Sequence, residues 1–248
     1  MGLAAASPGS SRCTRNCARL PLATNWPILP SAVPSDVPQH SPAGGGPLRV
    51  GWIGRASNLR YLAPLARALR RVAERTPLEL VIVSDAALEL HGVETRFVPW
   101  SLAREAREVA AFDVGVMPLA LAGPWSRGKC AYKLLQYMAA GVPAVASRVG
   151  MNETVIRHGE NGWLASDEDD WVEALSSLAS DPEAAARMGR AGRATVEASY
   201  SIEAVAAQLA RFLDTLSSQP RNSGSVRSST GSSAKSSARA RSAAVGGG

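Results

Sequence analysis

Short apolar runs alternate with stretches of helical spacing through the middle of the chain. LRVGWIG (48–54) predicts a strand closed by a glycine turn. Leu62, Leu65, Ala66, Leu69, Val72 and Ala73 then recur at helical spacing and predict an amphipathic helix over 59–75. LELVIVSD (78–85) is apolar almost throughout, the pattern of a parallel strand buried on both faces. TRFVPW (95–100) predicts a third strand, and Ser101 is placed to cap a helix over 102–111. A fourth strand over 113–119, a helix over 129–140 and a fifth strand over 142–147 follow. Asn152 is placed to cap a short helix ending at His158, Asn161-Gly162 marks a turn, and GWLA (162–165) a last strand. Asp167, Glu168, Asp169 and Asp170 crowd the start of a helix, where the macrodipole favours negative charge. Pro182 opens the next helix, and Ile202, Val205, Ala206, Leu209, Phe212 and Leu213 share one face of the last, over 202–216. This alternation predicts an α/β domain with a Rossmann-like, doubly wound parallel sheet. In such sheets ligands bind outside the carboxyl ends of the strands.

Composition sets the expected boundaries. Residues 1–46 are punctuated by Pro, Ser and Gly and predict a disordered leader; 47–217 form the domain; 218–248 form a disordered Ser/Arg-rich tail. The net charge is +6, but no acid follows Asp214, whereas Arg221, Arg227, Lys235, Arg239 and Arg241 do. The domain itself is therefore close to neutral, and no nucleic-acid partner is expected from its charge. Cys13, Cys17 and Cys130 lack the count and spacing of a disulfide scaffold, and Cys130 is expected in the core. With no secretory core and no run long enough for a membrane span, the expected setting is cytoplasmic.

Between Val114 and Asn152 there is no Asp or Glu, yet Arg127, Lys129, Lys133 and Arg148 are present. Gly128 and Lys129 fall where the loop after the fourth strand should enter a helix. A lysine there opposes the helix dipole unless an anion resolves the conflict, and free helix N–H groups already favour phosphate. On the predicted helix Lys129 and Lys133 share a face, with Gln136 one turn on, which suits a diphosphate held by lysines and an amide reaching sugar hydroxyls. A solvated pair of lysines is the alternative on spacing alone. Gly54-Arg55 at the end of the first strand offers a close backbone approach and a bidentate cation, though GWIGRASN lacks the third glycine of a dinucleotide fingerprint. Trp100 and Trp125 lie on loops at the ligand edge, where either can flank a base. His40, His91 and His158 form no triad or metal pair with their neighbours, and no metal is expected.

The stretches GWIGRASNLRYL, DVGVMPL, GKCAYKLLQYMAAGVPAVASRVGMNETV and HGENGWLA resemble, in order and spacing, the C-terminal domain of the retaining GT-B glycosyltransferases of the group 1, family 4 type. That resemblance spans about 48–216 and implies a nucleoside diphosphate sugar as donor substrate, with no resident cofactor. It implies diphosphate contacts from Arg55, Lys129 and Lys133 as the catalytic cations. It further implies donor binding by Gly54, Gly128, Gln136 and Trp100, and a cleft loop of Gly150, Met151 and Asn152. Gly128 and Gln136 stand where many members carry a pair of glutamates, so a carboxylate for the ribose is missing from that helix. ILPSAVPSDVPQ resembles an interdomain linker, and what precedes it is too short and too polar for an acceptor domain. The reading is thus a donor-binding half that transfers a sugar to an unidentified acceptor hydroxyl with retention. Its alternative is a non-catalytic nucleotide-sugar module completed by a separate acceptor-domain chain.

Overall fold

The computed structural model describes residues 30–40 and 45–218. The expected disorder of most of the leader and of the tail concerns residues outside these. Six strands form one wholly parallel sheet: β1 (Leu48–Ile53), β2 (Leu78–Ser84), β3 (Thr95–Pro99), β4 (Val114–Met117), β5 (Ala144–Ser147) and β6 (Trp163–Ala165). Their order is β3-β2-β1-β4-β5-β6. The order reverses between β1 and β4, which is the switch point where a doubly wound sheet opens a crevice.

Helices cover both faces. α1 (Ala66–Ala73) follows two 3-10 segments, Ala56–Tyr61 and Ala63–Leu65, so the helix expected over 59–75 is α-helical only in its second half. α2 (Glu105–Ala110), α3 (Pro124–Arg127), α4 (Tyr132–Ala139) and α5 (Met151–Val155) follow in turn. α6 (Glu168–Ser180), α7 (Pro182–Ser199) and α8 (Ile202–Ser217) complete the described residues, each opened by a side-chain cap from Asp167, Asp181 and Ser201 respectively. α1 and α6 bury Leu69, Trp171 and Leu175 with Trp52 and Ile82 on one face. α4 and α7 bury Leu134, Tyr137, Met138 and Val196 with Phe112 on the other.

Tyr137 shapes the switch point. Gly51 and Gly115 carry no side chain where the rings of Phe112 and Tyr137 press on the two central strands. β1 and β4 pair only through Val50–Val114 and Gly51–Gly115. Beyond that the fully buried phenol inserts between them, accepting from Ile53 N at 3.3 Å and donating to Val116 O at 3.2 Å. One hydroxyl therefore replaces a ladder bond and splits the sheet open at its carboxyl edge, while burial pushes the phenol pKa up. Tyr137→Phe is expected to cost about 2 kcal/mol, read from chemical denaturation, because it strands a buried N–H and a buried carbonyl. A loss below about 0.5 kcal/mol would mean that water satisfies both groups.

Part of the leader packs on the domain. Val33 is buried and forms a parallel bridge to Ser201, and His40 N donates to Ala140 O at 2.8 Å. α8 has no buried residue, and Ile202, Leu209 and Leu213 are 50%, 39% and 53% exposed, so the apolar face predicted for it is largely bare.

Candidate functional site

The carboxyl ends of β1, β2 and β3, with α2 and α4, enclose a cavity of about 320 Å³ lined by Ile53, Gly54, Arg55, Asn58, Asp85, Trp100, Glu105, Tyr132, Lys133 and Gln136. A larger one, about 570 Å³, opens on the other helix layer among Arg60, Leu65, Leu119 and Trp171. The smaller cavity is the better candidate because a half-buried cation without a protein partner among the described residues lines it.

That cation is Lys133. It is half-buried on α4, with its ammonium 5.3 Å from the Trp52 ring centroid, and it has no carboxylate or hydrogen-bond partner among the described residues. Burial, with Lys129 nearby as the lesser cause, pulls its pKa down to about 8. A Cβ on Gly54 would come within 2.6 Å of the Lys133 Cε and 2.7 Å of the Trp52 ring, so that glycine makes room for the lysine stem. α4 begins without a side-chain cap, and its first amides face the same edge.

Lys129 lies outside the helix in which it was expected. Residues 128–131 form a loop between α3 and α4, and α4 begins only at Tyr132 because Ala131 adopts a left-handed conformation (φ 57°, ψ 21°). Lys129 and Lys133 are thus not successive turns of one face. Lys129 donates to Asn58 Oδ1 at 3.2 Å and lies 5.5 Å from the Tyr61 and Trp125 centroids. Asn58 lines the smaller cavity and Tyr61 the larger, so Lys129 stands between them. Cys130, expected in the core, is exposed beside it.

Arg55 extends from the end of β1, its side chain 85% exposed and 3.6 Å from Asp85 Oδ2. The Ala56 amide, and to a lesser degree Arg55, hold the Asp85 carboxyl below its usual pKa range. Trp100 follows β3, and its indole N–H donates to Glu105, which also accepts from the Gln136 amide. Glu105 begins α2 where Ser101 was expected to cap. Instead the Ser101 carbonyl accepts from the Arg104 and Glu105 amides, and the helix starts at Glu105 without a side-chain cap.

The remaining predicted residues lie away from the cavity lining. Gly128 ends α3, where an added Cβ would make only ordinary contacts, 3.6 Å from Pro124 O and 3.8 Å from Trp125 O. Gly150 (φ 57°) is pressed against the Arg127 backbone, Met151 packs on the core, and Asn152 is buried with Nδ2 donating to Ser147 O at 2.9 Å. Asn152 therefore sits inside α5 rather than capping it; Gly150 takes the cap position. These three fix the loop after β5. Asn58, Asp85, Glu105 and Tyr132 line the cavity without having been singled out from the sequence.

Residues 47–181 match the family model described as glycosyl transferases group 1. The chain belongs to the glycosyl transferases group 1 family. It is 31% identical over 158 residues to D-inositol 3-phosphate glycosyltransferase of Pseudarthrobacter chlorophenolicus, a match covering 56% of this chain and 36% of that enzyme. The fold is that of the C-terminal domain of the group 1 glycosyl transferase LpcC from Francisella tularensis, with a TM-score of 0.55 at 16% identity, over 69% of this chain and all of that one. It also matches HepE of Anabaena, solved with UDP-glucose, with a TM-score of 0.59 at 16% identity, over 74% of this chain and 56% of that one. The chain thus spans little more than a third of its curated relative and about half of HepE. Among the described residues no helix is long and apolar enough to cross a membrane.

Proposed function

We propose that this group 1 glycosyltransferase chain binds a nucleoside diphosphate sugar in the cavity at the carboxyl ends of β1, β2 and β3. There it supplies the cationic half of a retaining sugar transfer to an acceptor hydroxyl. The observation that carries this reading is Lys133: an ammonium held half-buried over Trp52, with no anion of the described residues against it, at the lip of a cavity. Desolvating a cation without a partner is costly unless an anion arrives to offset it. The uncapped start of α4 adds N–H donors on the same side. Lys133, Lys129 and Arg55 would then stabilise charge growing on the departing diphosphate, with these cations in the place of a metal.

The carboxylates of the cavity fit a reaction without a dedicated base. Asp85 is tied to the Ala56 amide, and Glu105 to Trp100 and Gln136, which leaves neither free to move toward an incoming hydroxyl. The acceptor and the surface that excludes water would come from a second domain facing this edge, and the bare apolar side of α8 supports such a partner.

Calorimetric titration of the whole chain with UDP, GDP and ADP tests the reading, UDP first because HepE was solved with UDP-glucose. One nucleotide is expected to bind saturably, and Lys129→Glu/Lys133→Glu to lose it by at least about a hundredfold. Equal binding by the double variant would remove the lysines from the site.

A further inference from the structure

The cavity has a second polar end, and its chemistry differs from that of Lys133. Glu105 is half-buried and faces no lysine or arginine within ion-pair distance among the described residues. Each of its oxygens already accepts one hydrogen bond, Oε1 from the Gln136 amide and Oε2 from the Trp100 indole. Those two donors come from separate elements, α4 and the turn after β3, and they fix the carboxylate plane against the cavity. An ionised carboxylate has about four acceptor sites, so two remain for a ligand. An anionic group is repelled there and a cation is absent, so the fitting partner is a neutral group carrying adjacent O–H donors.

Its position along the cavity narrows the choice. Gln136 lies three residues beyond Lys133 on α4, a rise of about 4.5 Å, so the carboxylate it holds is one helical turn from the phosphate-seeking ammonium. Arg55 follows β1 and Trp100 follows β3, with β2 between them, which places the two loops about 10 Å apart across the sheet edge. Trp100 is 47% exposed and offers a ring beyond the carboxylate. The sequence along the cavity is thus cation, carboxylate, aromatic face.

Resting on the donor-binding reading above, we propose that Glu105, positioned by Trp100 and Gln136, accepts hydrogen bonds from the vicinal ribose hydroxyls of the donor nucleotide. α4 carries an amide at Gln136, and the charge that reads the sugar of the nucleoside is delivered from α2 instead. Glu105 selects ribonucleotides over deoxynucleotides, and Gln136 serves as a positioning residue. Trp100 both holds the carboxylate and flanks the base.

The test is calorimetric titration of the whole chain with the nucleoside diphosphate that binds best, and with its 2′-deoxy and 3′-deoxy forms. It is repeated on Glu105→Ala and on Trp100→Phe, with each variant first checked for an unchanged circular dichroism spectrum. The wild type is expected to prefer the ribonucleotide by about tenfold or more. In Glu105→Ala that ratio should collapse to about one while deoxynucleotide affinity stays within about twofold. Trp100→Phe, which keeps an aromatic ring and removes the donor, should give an intermediate ratio. If Glu105 only braces the cavity, both affinities fall together and the ratio survives, which overturns the assignment. Equal binding of ribo- and deoxynucleotides by the wild type overturns it too, and leaves the donor site standing. If no nucleoside diphosphate binds the folded chain, the donor reading falls and takes this one with it.

Discussion

Lys133→Met is expected to make the protein more stable and, in the same step, to weaken its hold on a nucleotide. The wild-type ammonium is half-buried over Trp52, and burial lowers its pKa from 10.5 to about 8. The folded state therefore gives up a proton over a pH range in which the unfolded chain keeps it. Stability is reduced by a constant amount below pH 8 and recovers as pH rises from about 8 toward 10.5. Removing the charge while keeping the stem should add about 2 kcal/mol at pH 7 and abolish that recovery, as thermal melts at pH 7 and pH 10 would show. Nucleotide affinity should fall at least about tenfold at neutral pH. In the wild type it should decline as pH rises past 8, later when the anion is bound because the anion favours the charged form. A variant that is less stable and binds as well as the wild type would show the lysine to be a structural strut. The opposite pattern is the mark of a residue kept for what it binds.

Gly150→Ala should be the most damaging small change outside the core. Gly150 has φ 57° and ψ −132°, a backbone region that a side chain strongly disfavours. A Cβ there would also stand 2.7 Å from Arg127 O and 2.9 Å from its Cα, and backbone cannot step aside as a side chain can. Strain and clash together are expected to cost about 3 kcal/mol, measured by denaturant unfolding. Part of the relief would come from shifting α3, which leads into Lys129, so nucleotide binding should weaken several-fold in whatever fraction stays folded. Unchanged stability would show that the loop after β5 rearranges freely.

Most strands were legible because they are apolar runs with punctuation at their ends. Their limits were less so, and proline explains much of the difference. Pro118 has no N–H to give a ladder, so β4 stops at Met117, and Pro143 likewise delays β5 to Ala144. The break before α4 carried no such mark. An alanine, not a glycine, takes the left-handed turn at 131, and its side chain is buried, so only tertiary packing holds it there. The lysines were found by the absence of acids around them, although the helical spacing assigned to them was wrong. Glu105 falls inside the helix predicted over 102–111 with nothing to mark it, and its link to Gln136 across 31 residues exists only once α2 rests on α4. Residues that act alone on a strand end were visible in the chain. Those that act through a neighbour from another element were not.

The bridge between Val33 and Ser201 has a mechanical consequence. Val33 N donates to Tyr200 O at 3.0 Å and Ile202 N to Val33 O at 3.2 Å, with the Val33 side chain buried between. The two segments run parallel, so a pull applied at residue 30 and residue 218, once it has passed along α8, loads both bonds sideways, in shear, before it reaches the sheet. The sheet and its cavity lie inside this clasp. Tension passed along the polypeptide from either side would be borne at the clasp while the split between β1 and β4 kept its shape.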